Sequence, residues 1–370
     1  MKFKISKLKF LDVLQLTQSI VEKRNTMPIL SNVLLHVKGS TLLIAATDLE
    51  IGIQVQITVD VLEEGQLTLG ARYLFDVVKE LPNKDVVLTT QDNHWATLEC
   101  DKAIFNLVGL SADDFPTLPS CKDKNFHTIN AKYIHDMIEK TIFSVSSDET
   151  RYQLNGVYFE KVDDARVRMV ATDGHRLSMI DQELKLDENL QGRNVIIPKK
   201  GIIELKKLLE RESQDGTFEL GLDGSNIVMR QKDVTLFIRL IEGEYPDYKQ
   251  VIPQASEYKI EVSRAHLSHA LKRISLLSDE GAKGVKFSFS PSLLVISSNN
   301  PKLGQAEESV DVKYKGLPFE IGFNAKYFLD ILNVIENDEV SLELSNDTSP
   351  GVLKPVGDVN YQCVVMPMKI

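Results

Sequence analysis

An aspartate, a histidine and an arginine fall within four residues in Ala171-Thr-Asp-Gly-His-Arg-Leu177. Asp173 and His175 stand two apart, and on a strand such residues point to the same side, where a carboxylate beside an imidazole can move protons. A hydrolase or metalloenzyme centred on Asp173, His175 and Arg176 therefore has a starting point, but no other motif extends it. The chain lacks a GxxxxGK[ST] phosphate loop, a GxSxG nucleophile elbow and an HExxH zinc helix. His266 and His269 are three apart on a helical segment and could share a metal, yet no carboxylate or thiol partner is evident beside them. Cys100, Cys121 and Cys363 are widely spaced without CxxC, which excludes a zinc ribbon or disulfide framework and points to a reducing cytosol. No catalytic residue, metal or cofactor is expected.

The same segment has a conformational reading. Asp173-Gly174 between apolar runs predicts a tight hairpin whose two central residues take positive φ. At the far end of the chain, Met366-Pro367-Met368 brings two flexible, polarizable side chains together. They suit either a final edge strand or the wall of an adaptable groove.

The elements that must position these residues repeat with a period near 125. A capped helical start recurs as Ile5-Ser-Lys-Leu-Lys-Phe-Leu-Asp, Ile129-Asn-Ala-Lys-Tyr-Ile-His-Asp and Val262-Ser-Arg-Ala-His-Leu-Ser-His. A second amphipathic helix recurs from Ala71, Lys199 and Ala325, with apolar residues at three- and four-residue spacing. Apolar strands end in Thr-Asp48, Thr-Asp173 and Asn-Asn300, and the exits Phe115-Pro116 and Tyr245-Pro246 read as linkers. Period-two runs such as Val33–Val37, Val157–Glu160 and Val340–Leu344 predict half-buried strands between the helices. The reading is α+β: three tandem domains of the same topology, 1–120, 121–252 and 253–370, with helices lining the inner face and antiparallel sheets on the outside.

A tandem array of this kind can bend into an arc, and two arcs joined head to tail close into a ring. The charge pattern fits such a ring. The chain of 370 residues is net −10, yet Lys4–Arg24 holds five basic and two acidic residues and the segment 199–212 five and three. A protein that coats nucleic acid by bulk charge is excluded, whereas a mildly positive helical face on an acidic body is not. No run approaches the ~18 apolar residues of a membrane span, and the N-terminus lacks a signal-peptide core. The class-level alternatives are the enzyme above and an interaction scaffold that never meets DNA.

Four stretches carry a resemblance that runs from first residue to last: Met27-Pro-Ile-Leu-Ser-Asn, Arg151-Tyr-Gln-Leu-Asn-Gly, Val170-Ala-Thr-Asp-Gly-His-Arg-Leu177 with Val195-Ile-Ile-Pro-Lys, and Tyr361-Gln-Cys-Val-Val-Met-Pro-Met-Lys-Ile370. The sequence is similar to the bacterial sliding clamps, the beta subunits of DNA polymerase III. The resemblance implies a non-catalytic processivity factor, a head-to-tail homodimeric ring around duplex DNA without sequence preference. It implies tethering of the replicative polymerase alpha subunit, the clamp loader and other proteins with a clamp-binding motif. It also implies site residues. Of the DNA-contact candidates, Arg24, Tyr152 and Gln153 match family positions, while Arg72, Lys199 and Lys200 are added as basic residues near the starts of the second helices. A partner-peptide pocket would have one wall from Leu154, Thr172, Gly174, His175, Arg176 and Leu177, a floor from Pro246 and Val251, and an opposite wall from Val364, Met366, Pro367 and Met368. The dimer interface would use Phe105 and Leu107 against Leu276 and Leu277, with Glu307 and Glu308 pairing to bases such as Lys102. Where some relatives carry two adjacent tyrosines, this chain has Tyr152-Gln153.

Overall fold

A computed structural model describes residues 1–21, 27–119, 126–184, 194–211, 216–254, 256–278 and 283–369. Each third has eight strands and two helices in one order, and the first third adds one short strand. The first runs β1 (Lys2–Ser6), α1 (Lys7–Gln18), β2 (Asn32–Lys38), β3 (Thr41–Thr47), β4 (Ile51–Thr58), the extra β5 (Asp60–Glu63), β6 (Gly65–Gly70), α2 (Ala71–Glu80), β7 (Asp85–Thr90), β8 (Trp95–Cys100) and β9 (Ala103–Leu110). The second runs β10 (Phe126–Asn130), α3 (Ala131–Glu139), β11 (Gly156–Lys161), β12 (Arg166–Thr172), β13 (Arg176–Glu183), β14 (Val195–Pro198), α4 (Lys199–Glu210), β15 (Thr217–Asp223), β16 (Asn226–Gln231) and β17 (Val234–Arg239). The third runs β18 (Tyr258–Ser263), α5 (Arg264–Ile274), β19 (Gly284–Ser290), β20 (Leu293–Asn300), β21 (Gly304–Lys313), β22 (Phe319–Asn324), α6 (Ala325–Val334), β23 (Glu339–Leu344), β24 (Gly351–Pro355) and β25 (Tyr361–Val365).

Residue contacts gather the chain into two compact units. Met1–Lys132 joins Lys200–Leu240, and Tyr133–Lys199 joins Ile241–Ile370. Each unit holds one antiparallel sheet. The first is ordered β10-β15-β16-β17-β4-β3-β2-β6-β9-β8-β7-β1-β5, the second β14-β11-β12-β13-β25-β24-β23-β18-β21-β20-β19-β22. In each, a four-stranded half-sheet from one third continues into a half-sheet of the next, through β4–β17 in the first unit and β13–β25 in the second.

The helices form as their patterns require. In α1 the buried residues are Phe10, Val13, Leu14 and Thr17, and in α6 Ala325, Phe328, Ile331 and Leu332: one stripe at three- and four-residue spacing, packed on sheet. Each first helix also has its opening N–H satisfied by a carbonyl from a distant turn. Lys7 donates to Lys84, Ala131 to Gly216 and Arg264 to Asp338 at 2.9–3.1 Å. The capping expectation holds at Asn130, whose side chain accepts from Lys132, and at Ser263, which accepts from His266. It fails at Ser6, whose hydroxyl makes no cap hydrogen bond. There the Lys7 ammonium instead donates to the carbonyls of Lys79 and Leu81 at the end of α2, tying the two helices together.

Candidate functional site

The three strand-ending residues at the 125-residue step make one local structure. In the first third, Asp48 Oδ1 accepts from the N–H groups of Glu50 and Ile51 at 2.9 and 2.7 Å. In the second, Asp173 Oδ1 accepts from His175 and Arg176 at 2.9 and 3.0 Å. In the third, Asn300 Oδ1 accepts from Lys302 and Leu303 at 2.9 and 3.3 Å. A short side-chain acceptor holds each hairpin end by mimicking a backbone turn.

These contacts correct two sequence expectations. In the Asp173-Gly174 turn only Gly174 has positive φ, +88°; Asp173 acts through its side chain, so the turn is not a two-residue hairpin. The Asp–His dyad fails for the same reason. His175 lies exposed in the loop, and the Asp173 carboxylate is used by the turn and by Arg176 Nε at 3.1 Å. His266 and His269 are both exposed on α5.

Arg176 is 8% exposed. Beyond Asp173 it donates to Asp330 Oδ2 on α6 at 2.6 Å and to the Phe143 carbonyl at 2.5 Å, and it lies over the rings of Tyr327 and Phe143 at 4.6 and 5.3 Å. It is a strut joining three elements of the second unit, and its guanidinium is committed to these partners. Neither Asp330 nor Tyr327 was singled out from sequence. The signal was present in the repeat, because Asp76, Glu204 and Asp330 hold the sixth position of the three second helices.

The C-terminal tail crosses this strut. β13 pairs with β25 so that Leu177 faces Val364, and then Met366 N–H donates to the His175 carbonyl and Met368 N–H to Gly322, both at 2.9 Å. Leu177 and Val364 pack with Val170, Met179 and Tyr248 and are at most 2% exposed. Pro246 and Val251 are exposed beside them in the linker. Gly174, His175 and Met366 are exposed, Thr172, Pro367 and Met368 half-buried, and Leu154 buried. The tail thus lies beside the polar hairpin end, with Met366 exposed and Met368 half-buried.

The linker is held by a buried polar network. The Tyr248 hydroxyl donates to Glu160 and accepts from Arg168 at 3.0 Å, while Arg168 grips Asp181 with two bonds of 2.5 and 2.8 Å. Burial, and then the Glu160 hydrogen bond, hold the Tyr248 phenol above its ordinary pKa, so it stays a donor. Tyr245 stacks flat on Tyr158 with ring centroids 4.7 Å apart.

The DNA candidates separate. Arg24 lies outside the described residues, as does Cys121. Arg72 has an exposed side chain on α2, with Asp76 3.8 Å away, one turn on. Tyr152 is 51% exposed and Gln153 half-buried, in a turn whose Asn155 carbonyl accepts from the Lys199 N–H at the start of α4. That places Tyr152, Gln153 and Lys199 in one neighbourhood of the second unit. The Lys200 ammonium is bound to the Asp48 carboxylate and braces the first hairpin end, with its side chain 34% exposed.

Among the described residues, β9 and β21 each keep most of one edge open inside their sheets. β9 pairs with β8 along its length but with β6 only at Gly109 and Leu110. β21 pairs fully with β20 but with β18 only at Val312 and Lys313. Around them Ile104 is 63% exposed, Val108 62%, Leu276 76% and Leu303 55%. Phe105 is exposed and Leu107 and Leu277 half-buried. Glu307 is exposed, but Glu308 is gripped by both arms of Arg273, which holds its carboxyl below the ordinary range; an intramolecular partner replaces the expected Lys102.

The family comparisons agree across the chain. Residues 1–119, 128–247 and 249–369 match the N-terminal, central and C-terminal domain models of the DNA polymerase III beta subunit. The beta sliding clamp of Pseudomonas aeruginosa is 35% identical and that of Staphylococcus aureus (strain Mu50) 32%, with this chain covered completely and those proteins to 100% and 99%. Among solved structures, the Pseudomonas aeruginosa clamp with ligand superposes with a TM-score of 0.94 at 35% identity. The Bartonella birtlesii clamp bound to griselimycin gives 0.95 at 33%, and both cover the whole of each chain. With three consecutive domain matches and full-length identity above 30%, the chain belongs to the bacterial DNA polymerase III beta subunit family, the beta sliding clamps.

Proposed function

We propose that the chain carries out its family's role, as a head-to-tail homodimeric ring that slides on duplex DNA and tethers the polymerase, through three surfaces. The first is ring closure. β21 is the third-domain counterpart of β4 and β13, and β9 the first-domain counterpart of β17 and β25. Within the chain these counterparts pair, as β4–β17 and β13–β25. β21 and β9 alone among the six keep an open edge among the described residues, so one copy's β21 receives its partner's β9. This repetition is the observation that carries the reading. In this reading Leu276 and Leu277, with Leu303 nearby, pack against Phe105 and Leu107 of the partner subunit.

The second surface contacts DNA. A ring that must move cannot read bases, and tight phosphate neutralisation would hold it in place. Topology retains it, so a few exposed groups suffice: Arg72, Lys199, Tyr152 and Gln153, on a chain of net charge −10. The third surface is the tail–hairpin recess, which suits a short peptide with apolar side chains that the Met366 and Met368 side chains can repack around. No described helix is long and apolar enough to cross a membrane. A cytoplasmic location follows from the replication role.

Retention on DNA tests the proposal. Loaded by its ATPase, the protein should stay on a closed circle through high salt and leave once the circle is cut. Equal loss from circle and linear DNA would leave only a scaffold that never encloses a duplex.

A further inference from the structure

The domain repeat places a second recess in the first unit, at the register counterpart of the tail–hairpin pocket. The hairpin ends match. Thr47 Oγ1 accepts from Leu49 N–H and donates to the Ile51 carbonyl, as Thr172 does with Gly174 and Arg176. The strand junctions match. Gly52 faces Phe237 where Leu177 faces Val364, and Arg239 N–H donates to Glu50 at 2.8 Å where Met366 donates to His175. The linkers match too, Phe115-Pro116 with Leu118 for Tyr245-Pro246 with Tyr248. Between them is an open cavity of about 210 Å³ lined by Thr47, Leu49, Gly52, Leu118, Phe237 and Arg239.

Three replacements make it chemically different from its counterpart. Gly52 stands for Leu177, and a Cβ there would meet Leu118 Cδ2 at 2.7 Å, so the missing side chain lets the linker leucine settle over the floor. Glu50 stands for His175. Arg239 stands for Met366; its side chain is exposed and has no acidic partner among the described residues.

We propose that this recess is a second peptide-docking site, for an extended segment in which an aliphatic residue is followed by a single acidic one. The aliphatic side chain sits against Leu118 and Phe237, and the carboxylate meets Arg239. Glu50 on the same rim disfavours a second acid. The assignment rests on reading the tail–hairpin recess as a peptide pocket, because the two share one architecture. Its low volume and open rim make binding weak.

The probe is acetyl-Ser-Gly-Leu-Asp-Leu-Gly-amide with photo-leucine at the third position, used at 1 mM and mapped by peptide mass spectrometry. It is applied to the full chain and to a chain lacking Met366–Ile370, whose second-unit pocket is broken. Adducts on 47–52, 116–119 or 237–239 are expected in both. They should fall at least about five-fold in Arg239→Glu and with a probe carrying Lys for Asp, since reversing one exposed charge exchanges an attraction for a repulsion. Arg239 is exposed, so an unchanged melting temperature checks that this variant is folded. Adducts in the second unit of the full chain alone overturn the second site and leave the first standing. Adducts in the first unit that ignore both charge changes overturn the assigned chemistry. No adduct in either unit overturns the second site, and the tail–hairpin pocket then stands or falls on its own peptide titration.

Discussion

Replacing Arg176 with Met should both destabilise the second unit and disable peptide binding. The guanidinium is 8% exposed and has hydrogen bonds to Asp173, Asp330 and the Phe143 carbonyl, with two rings against its faces. Breaking a fully buried ion pair by removing one partner costs about 3–5 kcal/mol. The carboxylates left behind are 19% and 27% exposed and recover some water, so about 2–4 kcal/mol is expected. For a unit of about 200 residues that corresponds to roughly 6–12 °C in melting temperature. The pocket should suffer beyond this. The tail is pinned at His175 on the hairpin and at Gly322 beside α6, and Arg176 is the strut between hairpin and helix. Peptide affinity, read by fluorescence anisotropy at a temperature where the variant is folded, should fall at least about ten-fold. The double variant Arg176→Met, Asp330→Leu discriminates further. It removes the orphaned acid, and apolar replacement of a buried pair is often neutral. It should recover stability relative to Arg176→Met without recovering peptide affinity. A single variant that melts within 2 °C of the parent and binds peptide normally would refute the strut argument.

Other outcomes follow from the same geometry. Removing Met366–Ile370 should abolish binding of polymerase-derived peptides while sedimentation still reports a dimer. Leu276→Ala with Leu277→Ala, and separately Leu303→Asp, should shift sedimentation towards monomer; each Leu→Ala at a packed contact costs about 2–5 kcal/mol, and Asp would place a charge in the apolar contact. Cys363 is fully buried, and burial pushes its thiol up to about 11, so iodoacetamide at pH 8 should leave it unmodified in the folded chain and label it after denaturation. The Glu308 carboxyl is depressed by its hydrogen bonds to Arg273, so that contribution is present above the unfolded carboxylate pKa and fades as pH falls through the folded one; Arg273→Ala should flatten this part of the acid stability profile.

The repeat was legible in the linear chain because burial imposes periodicity. The stripe Ala325, Phe328, Ile331, Leu332 and the alternation through Val285–Phe289 predict helix and strand wherever they occur. The three helix starts and the Asp48, Asp173, Asn300 step were equally local, since an Asx turn involves a side chain and its next few N–H groups. The Leu177–Val364 contact was not legible: the two are far apart in sequence and meet only because β13 and β25 pair. Charges were least legible of all. Arg176, Lys200 and Glu308 read as surface groups, but each found an opposite charge in the fold: Asp330 on α6, Asp48 in the first hairpin end and Arg273 on α5. Periodicity records how each segment meets water, so the order of residues along the chain alone determined the elements and their threefold order. Which side chains face one another depends on strand register between distant segments, and only tertiary structure decided that.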